Sequence, residues 1–381
     1  MLNIIKEKII YIYILLFSLI SYLSIYKTKD YIPKSLNDIY NKQIIWYIVG
    51  IIIIMLINKI NIKKIYKVAL PLYIISNIML LLLFRYGTSV NNTRAWFNIG
   101  FLNIQPSEIM KVSLILMNAS IIGKYYNNRT KISSKKEFKL ILKLWIILLI
   151  PSILTFLEPD TGAVICYFVI TLSMLYISGI SKKWFIYLII FISILLSTLF
   201  FIYYSNQDLF INIFGNNFFY RIERILSWQD KSGMQLNNSL ISIGSSGLFG
   251  HTSVPMYYPE PATDFIFTSF ASSYGLILTI LFLITILSFD LYIINKIKSI
   301  KDLKHKYTIF GIIALIIYGQ IQNIGMTLGI LPIVGITLPF ISYGGSSIIT
   351  YLILLGIFIN IDNSNKKKSH NWLFYSAVAV S

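Results

Sequence analysis

The chain has 381 residues, 56% of them hydrophobic and 13% charged, and 33 Lys and Arg against 15 Asp and Glu give a net charge of +18. A soluble domain carries about 25% charged residues, so the composition excludes a soluble enzyme, a disordered chain and a coiled coil. It also removes nucleic acid as the partner that the positive charge would otherwise suggest. The single cysteine, Cys166, rules out a disulfide framework and a cysteine-based metal site.

A bilayer core of about 30 Å needs about 20 apolar residues per helix. Such runs lie at 9–26, 44–58, 68–84, 105–122, 140–157, 162–180, 184–204, 264–294, 307–328 and 345–361. The first is too long for a signal peptide and lacks a small-residue cleavage site before Lys27, so it reads as a retained span. The pattern predicts an all-α polytopic membrane protein of ten spans, a single membrane domain over 1–381 with no appended soluble unit and no fixed-period repeat. Lys and Arg crowd cytoplasmic loops. Placing both termini inside collects Lys6, Lys8, the 59–67 and 124–143 loops, Lys182, Lys183, the 296–306 loop and Lys366 to Lys368 on one face. The segment 362–381 is then a short cytoplasmic tail. Outside lie the stretch 85–105, a large loop at 205–263 and a Gly/Pro-rich turn at 329–347.

The outer segments carry the candidate chemistry. Arg94 and Trp96 fall in the first, where an aromatic ring can anchor at the interface or face a substrate. Gln105, Pro106 and Ser107 precede Glu108 and Lys111, which share one helix face and can pair. That pair either holds helices in register or lines a polar cavity, since ions at membrane depth are costly. Glu158-Pro159-Asp160 is an acidic turn suited to capping a helix. Arg221 and Arg224 are scarce outer guanidinium groups, which suit phosphate or a lipid headgroup. Asp264, where the long loop meets an apolar helix, either caps that helix or is a partly desolvated general base, with Glu260 four residues earlier. Asp290, near the inner end of its span, is expected to snorkel. His251, His305 and His370 have no metal-ligand spacing, and no phosphate-cradling Gly loop is present.

Six of these stretches together resemble the SEDS proteins (shape, elongation, division and sporulation), the group of RodA, FtsW and SpoVE. They are RAWFNIG from Arg94, QPSEIMK from Gln105, EPDTG from Glu158, SLISIGSSGLFG from Ser239, PEPATDFIF from Pro259 and NIGMTLGILPIVGITLPFISYGGSS from Asn323. The resemblance implies a ten-span peptidoglycan glycosyltransferase that polymerises lipid II beside a class B penicillin-binding protein, its active site facing outward. It implies Asp264 as the catalytic aspartate. Trp96, Glu108, Lys111, Asp160 and Glu260 match further motif positions. The chemistry then requires positive charge for the undecaprenyl diphosphate leaving group. Arg221, Arg224, Lys111 or a bound divalent cation such as Mg2+ or Mn2+ would supply it, with no organic cofactor.

The pattern departs beside the proposed base. Where the family carries a Glu-Glu pair, this chain has Ser272 and Ser273, and the stretch from Gly250 to Pro259 is short. These departures are those of a divergent paralogue. Two other functions stay open at this point. One is a transporter of lipid-linked precursor, which broken helices around a midplane site would favour; the other is a non-catalytic scaffold for a penicillin-binding protein.

Overall fold

The computed structural model describes residues 2–29, 38–90, 93–100, 102–126, 133–229, 233–251 and 257–378. In chain order the elements are α1 (Leu2–Lys27), α2 (Ile39–Lys59), α3 (Ile62–Lys67), α4 (Ala69–Tyr86), β1 (Thr88–Val90), β2 (Thr93–Ile99), β3 (Leu102–Ile104) and α5 (Pro106–Tyr126). There follow α6 (Ser134–Leu157), α7 (Thr161–Ile177), α8 (Lys183–Ser205), α9 (Gln207–Phe214), α10 (Asn216–Gln229), α11 (Met234–Gly244), α12 (Ile266–Ser299), α13 (Leu303–Thr327) and α14 (Gly345–Val378). Each of the ten predicted apolar runs is a helix. Among the described residues eight helices are long and apolar enough to cross a membrane. The other two predicted runs are α7, with 17 residues, and α5, which carries Glu108, Lys111 and Lys124. The molecule is an all-α, multi-pass membrane protein.

The extremes of apolarity and burial fall on different spans. The most apolar span, α8, has 0% of its central window buried, whereas α13 has 67% and α14 has 78%. Lipid is as apolar as leucine, so a helix facing it is uniformly apolar, and the polar groups collect where helices face each other. Most of α5 is buried, and it packs on α4, α6, α7, α13 and α14. Buried Asn118 of α5 donates to Thr171 Oγ1 of α7 at 3.0 Å. Glycines set the closest approaches between helices. A Cβ on Gly50 of α2 would lie 2.0 Å from Leu352 Cδ1 of α14.

Four features differ from the expectations. The 85–105 stretch forms an antiparallel sheet in the order β1-β2-β3, with Phe97 opposite Ile104. The positive φ of 64° at Gly100 begins the tight β2–β3 turn. The 205–263 loop contains α9, α10 and α11, and Phe210 and Phe219 form a small apolar core with Tyr203 at the end of α8. α14 continues past residue 361 because Asp362 pairs with Lys296 of α12 at 3.2 Å and with Lys366 one turn on at 3.4 Å. Asp290 does not snorkel. It is 7% exposed and accepts from Gln320 Nε2 of α13 at 3.2 Å, so it joins two helices instead.

α12 is broken at Gly275, where φ is 72° and ψ is −177°. A break frees backbone groups that hydrocarbon cannot satisfy. The segment after α11 satisfies them. Leu276 N donates to Gly247 O at 3.0 Å, Ile277 N to Leu248 O at 3.3 Å, and His251 N to Ser272 O at 2.9 Å. Backbone meets backbone so closely that a Cβ on Gly275 would sit 2.3 Å from Gly250 N. Ser272 and Ser273 lie in this junction, both buried, and the Ser272 hydroxyl has no hydrogen-bond partner.

Candidate active site

Asp264 lies in the turn that leads into α12. The N-cap of that helix is Phe265, with no side-chain cap bond, so Asp264 does not cap it. Its position comes from a second irregular segment, 329–344, between α13 and α14. Asn323 of α13 donates through one Nδ2 to both Asp264 O and Ile336 O, each at 2.8 Å. Ser342 Oγ donates to Thr263 O at 2.6 Å and accepts from Leu338 N at 2.8 Å, while Tyr343 N donates to Ala262 O at 2.8 Å. Three consecutive carbonyls, from Ala262 to Asp264, are thus pinned to one segment. The Asp264 carboxylate stands beside Gly335, where a Cβ would lie 3.4 Å from Oδ2.

The segment 329–344 is itself held from the other side. Ser21 Oγ of α1 donates to Ile341 O at 2.7 Å, and Gln43 Nε2 of α2 donates to Ser342 O at 3.1 Å and to Ser21 Oγ at 2.9 Å. Tyr47 of α2 donates its hydroxyl to Phe340 O. Phe340 takes a left-handed φ of 67° and packs in a ring cluster with Phe17, Phe289 and Tyr351. Non-helical backbone survives within a membrane bundle only when protein satisfies it. Here α1, α2 and α13 each lend polar side chains to that task.

Across the same segment lies α7. A Cβ on Gly162 would be 3.0 Å from Ile336 Cγ1 and 3.1 Å from Val334 O. Asp160 is the N-cap of α7, its Oδ1 accepting from Ala163 N at 3.0 Å. Its other oxygen accepts from Gln105 Nε2 at 2.9 Å and Ser107 Oγ at 3.0 Å. Asp160 therefore caps one helix and fastens the start of another. Gln105 N donates to Ser346 Oγ, which donates to Asn103 O of β3, so the sheet is tied to the same end of the bundle. Trp96 of β2 is half-buried and Arg94 is exposed.

Glu108 and Lys111 pair at 2.6 Å within α5 and are 5% and 3% exposed. The pair does not bridge two helices, and it is enclosed rather than lining open surface. Lys111 is thereby committed to Glu108 and is not a free cation for a diphosphate. A buried pair broken at one partner leaves an uncompensated charge. Lys111→Met is expected to lower stability by ~3–5 kcal/mol, and Glu108→Gln added to it to restore more than half of the loss. Thermal unfolding in detergent distinguishes the two variants.

Glu260 takes a left-handed φ of 55°, is exposed, and accepts from Thr263 Oγ1 at 2.7 Å, so it braces the Asp264 turn. Arg221 and Arg224 fall in α10, and their side chains lie outside the described residues. Among the described residues no three His, Cys, Asp or Glu side chains converge to hold a metal ion.

Glu158 was legible in sequence only as part of an acidic turn. It is 2% exposed, just past the end of α6, and neither carboxylate oxygen has a hydrogen-bond partner. Burial, with the nearby Asp160 charge, pushes its pKa up to about 8 from 4.5. Between those values the unfolded chain is ionised while the folded chain keeps its proton. Stability from this group is thus full below about 4.5 and is lost as pH rises through about 8. Glu158→Gln is expected to match wild type near the lower value and to melt several degrees higher above pH 8, as unfolding curves across that window would show.

The sequence profile of the cell cycle protein family FtsW/RodA/SpoVE matches residues 6–367. The chain is 35% identical over 315 residues to the probable peptidoglycan glycosyltransferase FtsW of Buchnera aphidicola subsp. Schizaphis graminum, covering 78% of this chain and 82% of that protein. It is 33% identical over 309 residues to the probable peptidoglycan glycosyltransferase FtsW of Bacillus subtilis, covering 77% and 74%. Solved structures share its fold. One, from a study of polymerization and crosslinking by a peptidoglycan synthase complex, has a TM-score of 0.78 at 19% identity and covers 93% of this chain and 97% of its own. Another, Thermus thermophilus rod shape determining protein RodA, has a TM-score of 0.67 at 21% identity and covers 94% and 97%. With a profile matched over nearly its whole length, close curated relatives and a shared fold, the chain belongs to the FtsW/RodA/SpoVE family of cell cycle proteins.

Proposed function

We propose that this protein is a peptidoglycan glycosyltransferase that polymerises lipid II into β-1,4 glycan strands, with Asp264 as general base. One observation carries the reading. Asn323, Ser342 and Tyr343 fix the backbone of the Asp264 turn at the loop-rich end of the bundle, leaving its carboxylate half-buried beside Gly335. A general base works best when the scaffold, not the substrate, sets its position. Asp264 removes the proton from the acceptor's 4-hydroxyl as that oxygen attacks the donor's anomeric carbon. The bond to the diphosphate breaks, the configuration inverts, and no covalent enzyme intermediate is needed. Cationic groups at the same end, Arg94 and the arginines of α10, offset charge on the leaving diphosphate.

All ten long helices span the membrane, with both termini inside and the Asp264 end outside, because the opposite end carries the lysines. A class B penicillin-binding protein is the partner that crosslinks the product. The test gives purified protein, with and without that partner, fluorescent lipid II and a divalent cation, and resolves products on a gel. Strands that appear with this protein and a crosslinking-dead partner support the reading. Their absence under every partner condition overturns it, and a vesicle lipid-translocation assay then tests the transporter.

A further inference from the structure

At the far end of α5 from Asp264, α3, the ends of α2, α5 and α13 and the middle of α14 line a half-open cavity of about 800 Å3. Its walls are organised. Asn360 of α14 donates to Ile57 O and Ile60 O at 2.7 and 2.8 Å, closing the carboxyl end of α2. Asn61 Oδ1 accepts from Lys63 N at 2.9 Å at the start of α3. Tyr66 of α3 meets Thr308 of α13 at 2.8 Å, stacks on buried His305, and has Lys304 Nζ 3.8 Å from its ring centre. α5 and α13 close in beside it, where a Cβ on Gly123 would be 3.1 Å from Lys304 Cβ.

Five lysines line this cavity, Lys59, Lys63, Lys67, Lys124 and Lys304, against one lining carboxylate, Asp302. That carboxylate is occupied, its Oδ1 accepting from Lys304 N and His305 N at the start of α13. Among the described residues no salt bridge reaches any of the five lysines. Two lining oxygens, Asn58 Oδ1 and Ser120 Oγ, are buried without a hydrogen-bond partner, and of these the Ser120 hydroxyl can donate to an anion. The bias of lysine toward the inner face explains the charge on this side. It does not by itself place five of them around one half-open cavity, Lys304 partly buried and the other four exposed, where neighbouring like charges disfavour one another. An anion that accepts from several ammonium groups at once removes that cost.

We propose that this cavity binds a phosphate-bearing anion, of the glycerophospholipid headgroup class. Lysines act on phosphate as point charges, and basic pockets between membrane helices on the inner side suit anionic headgroups. The volume lies within the ~300–1,000 Å3 typical of small-ligand sites. The site is separate from Asp264 and does not depend on the polymerase reading.

The test uses full-length protein in micelles doped with phosphatidylglycerol or phosphatidylcholine, with retained lipid counted by native mass spectrometry. Phosphatidylglycerol is expected to be retained and phosphatidylcholine not. Lys124→Gln with Lys304→Gln should weaken retention roughly 25-fold, about five-fold per lysine. Lys63→Gln with Lys67→Gln, at exposed positions of α3, repeats the test should the first pair fail to fold. Lys135→Gln with Lys136→Gln, at the same end outside the cavity, should change it less than about two-fold. Protection of Lys124 and Lys304 from amine acylation by millimolar inorganic phosphate, without lipid retention, supports the site and makes free phosphate the source. Equal losses in the cavity and control variants overturn the proposal. So does the absence of both lipid preference and phosphate protection, or protection by an acidic peptide alone.

Discussion

Asp264→Asn is expected to lower strand synthesis by ~10²–10⁴-fold, the range a positioned general base supplies, while the protein elutes and melts as wild type. Backbone carbonyls at Ala262, Thr263 and Asp264 carry contacts that hold the turn. The isosteric amide leaves those contacts in place and removes the proton acceptor. Lipid II binding should survive with the rate lost, which separates chemistry from substrate capture. Retention of near-wild-type synthesis in Asp264→Asn would remove the aspartate from the reaction. Equal loss of lipid II binding would make it a binding residue instead.

Gly275→Ala should be a severely damaging single methyl, costing at least ~3 kcal/mol. Two penalties add. The left-handed φ of 72° disfavours any side chain, and the new Cβ would stand 2.3 Å from Gly250 N and 2.5 Å from Leu248 O. Those are backbone atoms, so no side chain can swing aside. Relieving the clash separates α12 from the 247–251 segment and leaves the amides of Leu276 and Ile277 without their acceptors. Gly250→Ala, 2.3 Å from Ser273 O with φ of 84°, should behave the same way. Gly244→Ala meets nothing within 4 Å and serves as the control, with no loss expected. Melting curves decide it: a Gly275→Ala protein within about 2 °C of wild type would show the junction to be soft. The first turns of α12 follow directly on Asp264, so this variant should also depress synthesis.

The site was partly legible in sequence. QPSE-x-x-K and the EPD turn named Gln105, Glu108, Lys111 and Asp160, and the TDFIF motif named Asp264. What these residues do was less legible. Asp160 reads as a cap and is one, yet its second oxygen gathers Gln105 and Ser107 from 55 and 53 residues away. Asp264 reads equally as a cap or a base, and only the N-cap at Phe265 removes the first. Asn323 and Ser342 lie in the last motif stretch but had no role assigned, and Gln43 and Ser21 were not singled out at all. Each is an uncharged polar residue in an apolar setting, and the cost of burying an unpaired polar group is the signal that could have marked them. That signal says a partner exists without saying which one.

Hydropathy reports the solvent that each stretch of chain meets, so the ten apolar runs, the lysine-rich end and the loops that carry the motifs were determined by the sequence itself. A span facing lipid must be apolar whatever its neighbours are, as exposed α8 shows. The bonds joining 262–264 to 336–343 and 247–251 to 272–277 were decided by tertiary structure alone. Across the second junction both ends are backbone groups that every residue possesses. At the first, Asn323 and Ser342 lend side-chain donors, but the carbonyls they reach belong to any residue, so their identity does not name the partner. The pairing appears once packing closes off the alternatives, and it holds the backbone at Asp264 in place.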